Sequence, residues 1–145
     1  MNVVLDIGNS SVKLAFFQEE DMVLNQTFTF ENLFQVMDLL QEKIPERLIV
    51  SSVVLDAEDF ISSLKEAFPS VLVFDTNTKI PISNLYRTPG TLGPDRLPPL
   101  VAARQVFPDS DILNIDAGTC IKYNFMNRSG EFLGGGHFPG IGNAF

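Results

Sequence analysis

Two segments of the chain, VVLDIGNSSVKLAFF at residues 3–17 and LNIDAGTCIKYNF at residues 113–125, share one plan. Each runs apolar residues into an aspartate, passes Asp-x-Gly and one small polar residue, and resumes as an apolar-rich run. Asp6 corresponds to Asp116, Gly8 to Gly118 and Asn9 to Thr119, about 110 residues apart. That interval is far too long for a solenoid repeat. It fits a domain opening used twice, with the second copy cut short, and it restricts the chain to folds that begin a unit with a strand–turn–strand.

The intervening pattern supports an α/β reading. Residues 3–5, 12–17 and 22–30 read as three strands with short polar connections. In ENLFQVMDLLQEKIP, the residues Leu33, Val36, Met37, Leu40 and Ile44 fall at helical spacing until Pro45 stops them. RLIVSSVV is β-rich. In DAEDFISSLKEAFP, Asp56 suits an N-cap, and Phe60, Ile61, Leu64 and Phe68 form an apolar face. Residues 71–74 give a further short strand, so that βββαβαβ predicts an α/β layer on a mixed sheet. Residues 75–99 lack any sustained period and are rich in Pro, Gly, Asn and Thr, the texture of a functional or disordered loop. A helix is expected over 100–107, with Pro98 and Pro99 tolerated in its first turn. Strands follow at 112–116, 121–126 and 131–138, and GHFPGIGNAF reads as the start of a new loop and helix.

Charge and composition narrow the class. The 145 residues are 45% hydrophobic and 19% charged, as in a folded soluble protein. A net charge of −8 argues against non-specific binding to nucleic acid or anionic membranes. The single cysteine, Cys120, permits no internal disulfide and suits a reducing compartment. The N-terminus carries an acid within its first apolar run and no basic segment, unlike a signal peptide. No apolar run approaches the ~18 residues of a membrane span. Together these predict a cytoplasmic location.

An Asp-x-Gly hairpin has chemistry to offer. A tight turn with glycine points backbone amides outward with no side chain in the way, and consecutive amides form a concavity for phosphate oxygens. An aspartate at the strand end can hold a hydrated divalent cation against the same phosphates. Asn9, Ser10, Ser11 and Thr119 add donors, and Lys13 adds a point charge. Two such hairpins suit a nucleoside triphosphate, although either alone is equally well an ordinary turn. The P-loop pattern G-x-x-x-x-G-K-[ST] is absent from the sequence.

The paired hairpins resemble those of the superfamily of acetate and sugar kinases, actin and heat-shock chaperone ATPases. Three segments narrow the resemblance to type III pantothenate kinases. DIGNSSVK, at 6–13, is similar to that family's D-x-G-N-T-x-x-K, with Ser10 at the usual threonine. YRTPGTLGPDR, at 86–96, resembles its substrate segment ending in G-x-D-R. GGGHFPG, at 134–140, resembles its G-G-x-x-x-P-G element. The order and spacing agree over the whole chain.

The resemblance implies an actin-like, ribonuclease H-like α/β fold. The first domain would span residues 1–108, with a substrate loop at 79–97, and a truncated second domain would span 109–145. It implies transfer of the ATP γ-phosphoryl group to the pantothenate hydroxyl, the first step toward coenzyme A. Asp95 would be the general base. Asp6, Ile7, Gly8, Asn9, Ser10, Ser11, Val12, Lys13 and Thr119 would bind the ATP phosphates with Mg2+. Tyr86, Gly93, Pro94, Asp95 and Arg96 would bind pantothenate, and Gly134, Gly135, Pro139 and Gly140 would shape a nearby loop. Asp116 would hold a monovalent cation (K+ or NH4+). A homodimer is implied, without nucleic-acid or membrane partners.

The second hairpin departs from the family's usual D-x-G-T-A-x-T-x-D, since Cys120, Lys122 and Asn124 take its last three specified positions. Those changes raise the local charge by about two units, and Lys122 is expected partly to replace the monovalent cation, unless it simply points to solvent. Cys120 reads as a small packing residue and His137 as a structural histidine. The same departures, with the shortened second domain, support an alternative: a non-catalytic or regulatory relative resembling a transcription accessory factor. Another kinase or phosphatase of the superfamily fits less well, because G-P-D-R occupies the pantothenate motif's place. A sheet face left uncovered by the shortened domain would favour self-association.

Overall fold

The computed structural model describes residues 1–54, 57–75, 77–118 and 120–140. Contacts group the chain into two compact units, residues 1–75 and 76–145.

The first unit is a five-stranded sheet in the order β3-β2-β1-β4-β5. Its strands are β1 (Asn2–Ile7), β2 (Val12–Gln18), β3 (Asp21–Phe28), β4 (Arg47–Ser52) and β5 (Val71–Phe74), with α1 (Leu33–Lys43) and α2 (Glu58–Ala67) in the connections. The β1–β2 and β2–β3 pairs are antiparallel, while β4 adds parallel to β1 and β5 parallel to β4. Alternation decides which face is buried. Val3, Leu5 and Ile7 of β1 lie in register with Phe16, Leu14 and Val12 of β2. These six, with Leu48 and Val50 of β4, pack against Val36 and Leu40 of α1 and Leu64 of α2 in one core. The predicted βββαβαβ order is the observed one.

One residue of the α1 pattern departs from expectation. Ile44 is not part of the apolar stripe; it caps the helix at φ 45°, its N–H bonding the Leu40 carbonyl, and its side chain is 75% exposed. Pro45 explains the change, because the residue before proline is driven out of the right-handed helical region. The expected N-cap of α2, Asp56, lies outside the described residues.

The second unit is a four-stranded sheet in the order β6-β9-β8-β7. Its elements are β6 (Ser83–Asn84), α3 (Pro98–Val106), β7 (Ile112–Ala117), β8 (Cys120–Met126) and β9 (Glu131–Pro139). The helix begins at Pro98, two residues before the expected start, since two prolines in a first turn lose no helical hydrogen bond. Part of the segment expected to be a functional or disordered loop is packed. Ile80, Ile82, Tyr86, Leu92 and Leu97 join Leu100, Ile112, Met126 and Phe132 in this unit's own core. Short strand β6 pairs parallel with β9, placing Ser83 beside Glu131 and Asn84 beside Phe132.

The sheet of the second unit has two unlike faces. Ile112, Asn114, Asp116, Lys122, Asn124, Met126, Phe132, Gly135 and His137 share one face by register. On the other lie Leu113, Ile115, Tyr123, Phe125 and Phe138, each between 36% and 62% exposed. The expected uncovered apolar face is therefore present.

Candidate functional site

The β1–β2 turn closes with the Gly8 N–H donating to the Ser11 carbonyl at 3.0 Å, and the β7–β8 turn with the Gly118 N–H donating to the Cys120 carbonyl at 3.1 Å. Neither glycine has a positive φ, so what each contributes is the lack of a side chain. The first turn is one residue longer, yet both set a lysine across from the aspartate. Asp6 is in register with Lys13, and Asp116 with Lys122. This equivalence was hidden in the sequence by the difference in turn length.

In the first hairpin Asn9, Ser10 and Lys13 are exposed, and Asp6, Gly8 and Ser11 half-buried. Ile7 and Val12 are fully buried, paired with each other in the ladder, and the Ile7 carbonyl accepts the Val53 N–H at 3.1 Å. Ser51 lies beside Asp6 on the parallel strand β4 and shares its face. Its hydroxyl is buried without a hydrogen-bond partner among the described residues, a deficit that a bound polar group would relieve. Sequence reading missed Ser51; the signal was register, invisible in a local motif. Asp6 with this orphaned hydroxyl fits a hydrated Mg2+, which needs only one or two carboxylates when substrate phosphates supply further oxygens. Among the described residues no three His, Cys, Asp or Glu side chains form a metal-binding group.

In the second unit the segment around residues 93–97 lies over the polar face of the sheet. Residues Pro94–Arg96 form a 3-10 turn with Pro94 at its start. From it, the Asp95 Oδ2 accepts a hydrogen bond and ion pair from the Lys122 ammonium. Gly93 makes room for the other oxygen, for a Cβ there would sit 2.6 Å from Asp95 Oδ1. Lys122 also stands 3.7 Å from Asp116 Oδ2. Burial of Lys122 by itself favours the neutral amine. The hydrogen bond and charge of Asp95, reinforced by Asp116, outweigh that and hold the ammonium above its ordinary value of 10.5. Lys122 therefore does not simply point to solvent. Asp116 presents one carboxylate that already faces an ammonium, a donor set that fits an internal charge better than a bound monovalent cation.

Arg96 turns the other way. Its Nε donates to Asn124 Oδ1 at 2.7 Å, and its Nη2 to the carbonyls of Tyr123 at 2.9 Å and Gly136 at 3.2 Å. Tyr86 is half-buried, its ring 6.0 Å from that of Phe132, and its N–H bonds Asn84 Oδ1 at 3.0 Å. Thus Gly93, Pro94, Asp95, Arg96, Lys122 and Asp116 come together in one unit, and Tyr86 packs into the adjoining core. Thr119 lies outside the described residues. Pro139 ends β9 and Gly140 follows it, and His137, expected to be structural, is exposed next to Lys122 in register. Cys120 is half-buried.

A family model described as Type III pantothenate kinase matches residues 2–145. The chain belongs to this family. The Type III pantothenate kinase of Bacteroides fragilis (strain YCH46) is 37% identical over 142 residues, 97% of this chain and 58% of that protein. The Type III pantothenate kinase of Christiangramia forsetii is 38% identical over 143 residues, with the same coverage of both. The chain thus spans a little over half the length of these curated relatives. Among solved structures, the type II variant of the Aquifex aeolicus Ppx/GppA phosphatase superposes with a TM-score of 0.56 at 16% identity, over 98% of this chain and 53% of that one. That likeness shows the fold: a mixed α/β, actin-like architecture.

Proposed function

We propose that this chain carries the base and part of the phosphate-binding apparatus of a kinase that phosphorylates pantothenate from ATP. Family membership supports the reaction. The observation that supports the residue roles is Asp95, set on a glycine-flanked turn with one carboxylate oxygen held by Lys122 and the other above Gly93. In this reading Asp95 takes the proton of the pantothenate hydroxyl as that oxygen attacks the γ-phosphorus and the bridging oxygen departs on ADP. Asp6, Lys13 and the turn at residues 7–12 bind the ATP phosphates, with Thr119 contributing from the second hairpin. Mg2+ would neutralise phosphate charge beside Asp6. Gly93, Pro94 and Tyr86 form the pantothenate side, and Lys122 supplies part of the charge that a monovalent cation at Asp116 would bring. The protein would act in the cytoplasm as a homodimer, with residues 1–108 and 109–145 as unequal copies of one domain.

Phosphorylation of pantothenate by ATP, assayed on this chain and on the chain extended to the length of its relatives, tests the reading. Asp95→Asn in the active form should abolish turnover and spare nucleotide binding; surviving turnover would remove Asp95 as base. Activity strictly dependent on potassium would count against the role of Lys122. A second reading, a nucleotide-holding relative without turnover, is favoured by the ammonium already seated on Asp95. Nucleotide binding by the extended chain with no product formed would select it.

A further inference from the structure

We propose that Arg96 and Asn124 are positioning residues, a clamp that fixes the 94–96 turn to β8 and β9 and so delivers the Asp95 carboxylate to Lys122. Consecutive residues of the turn attach to alternate residues of one strand: Asp95 to Lys122, Arg96 to Asn124. Residues two apart on a strand share a face and stand about 7 Å from one another. A turn held at one such point could pivot about it. Held at two, it has a fixed place and a fixed direction.

The clamp is built into the sheet. Asn124, 1% exposed, is the one polar residue among the described residues that is buried to this degree. Its amide is used on both sides, Oδ1 accepting from Arg96 and Nδ2 donating to Asn114 Oδ1 at 3.4 Å. Three N–H groups of Arg96 reach three acceptors on two strands, a spread that the planar guanidinium spans and a lysine ammonium does not. Opposite Asn124 in register stands Gly135, where a Cβ would come within 2.7 Å of Arg96 Nη2. The site of the guanidinium thus requires a residue without a side chain at 135. Arg96 has spent three donors on the protein, so its main effect reaches a substrate through Asp95.

The functional consequence rests on the reading of Asp95 as base, but the clamp itself can be tested without turnover. The probe is the Lys122 side chain in this 145-residue chain, followed by 13Cε and 15Nζ NMR through its alkaline titration. Asp95→Asn sets the reference for a released lysine. Arg96→Met should move the Lys122 midpoint downward most of the way to that reference, although neither member of the pair is altered. Arg96→Lys should fail to restore it, and Asn124→Ser, which removes one of three acceptors, should give a smaller shift in the same direction. A midpoint unchanged in both Arg96→Met and Asn124→Ser, with the shift present in Asp95→Asn, would overturn the clamp. Should Arg96→Met lose the backbone signals of β7–β9, Asn124→Ser decides alone. In the extended enzyme, Arg96→Lys should lower kcat with little change in the KM for the alcohol. A rise in KM alone would make Arg96 a substrate ligand instead.

Discussion

Lys122 brings a positive charge to a place where two carboxylates, Asp95 and Asp116, would otherwise face one another. Its folded pKa stands above its ordinary value, so the stabilisation from the pair is complete below about 10.5 and is lost as pH rises through the raised value. Lys122→Met should therefore lower stability at pH 9, and the difference from the parent chain should shrink at higher alkaline pH. Urea unfolding followed by circular dichroism measures both, and comparing the two proteins at each pH cancels the other lysines. The side chains are 30% and 23% exposed, so solvent screening limits the effect to about 1 kcal/mol or less. A difference independent of pH would mean that Lys122 stabilises by packing alone.

Strands β8 and β9 hold the clamp because β9 is thin in side chains where β8 is full. A Cβ on Gly135 would fall 1.9 Å from the Tyr123 carbonyl oxygen, a backbone atom that cannot swing away. Gly135→Ala should cost about 1–3 kcal/mol through a forced backbone shift. Hydrogen exchange should show faster opening of β8 and β9 with the first unit unchanged; protection equal to the parent would refute it. On the far face the Tyr123 ring lies over Gly136 and stacks on Phe138 with centroids 5.4 Å apart. Little of this was open to sequence reading. Strands β1, β2, β7 and β8 were legible because alternating apolar residues repeat with the pleat, as Val3, Leu5 and Ile7 do. Asp95 and Lys122 were both marked as candidates, one by its motif and the other by departing from it. Their pairing was not legible, because alternation places Lys122 on a face without saying what covers that face. The packing of Ile80, Ile82, Tyr86, Leu92 and Leu97 was hidden for the same reason: contacts set by distant strands leave no local period. Asn124 looked like a lost carboxylate, whereas it keeps the acceptor Arg96 needs and adds a donor for Asn114.

The two units have separate cores, so their stabilities can be perturbed one at a time. Phe132→Ala, which empties a fully buried site in the second core, should cost that unit about 3–5 kcal/mol. Residue-resolved NMR in urea should then show β7–β9 unfolding at lower denaturant than β1–β5. The second unit is also where the chain meets solvent badly. Leu113 and Ile115 are 60% and 62% exposed, and they lie in register with Phe125 and Tyr123 on the same apolar face. Among the described residues strand β7 is moreover an edge of its sheet, with no strand beside it on that side. An apolar face beside an open edge is a template for a second copy of the same chain. The net charge of −8 opposes association only weakly once salt screens it. Sedimentation velocity over a hundredfold range of concentration should therefore show reversible self-association that strengthens with salt. Ile115→Lys, which sets a charge in the centre of that face, should return the chain to monomer without loss of helix or strand signal. Association unchanged in Ile115→Lys would place the contact elsewhere, and a monomer at every concentration would mean that the exposed face does not drive assembly.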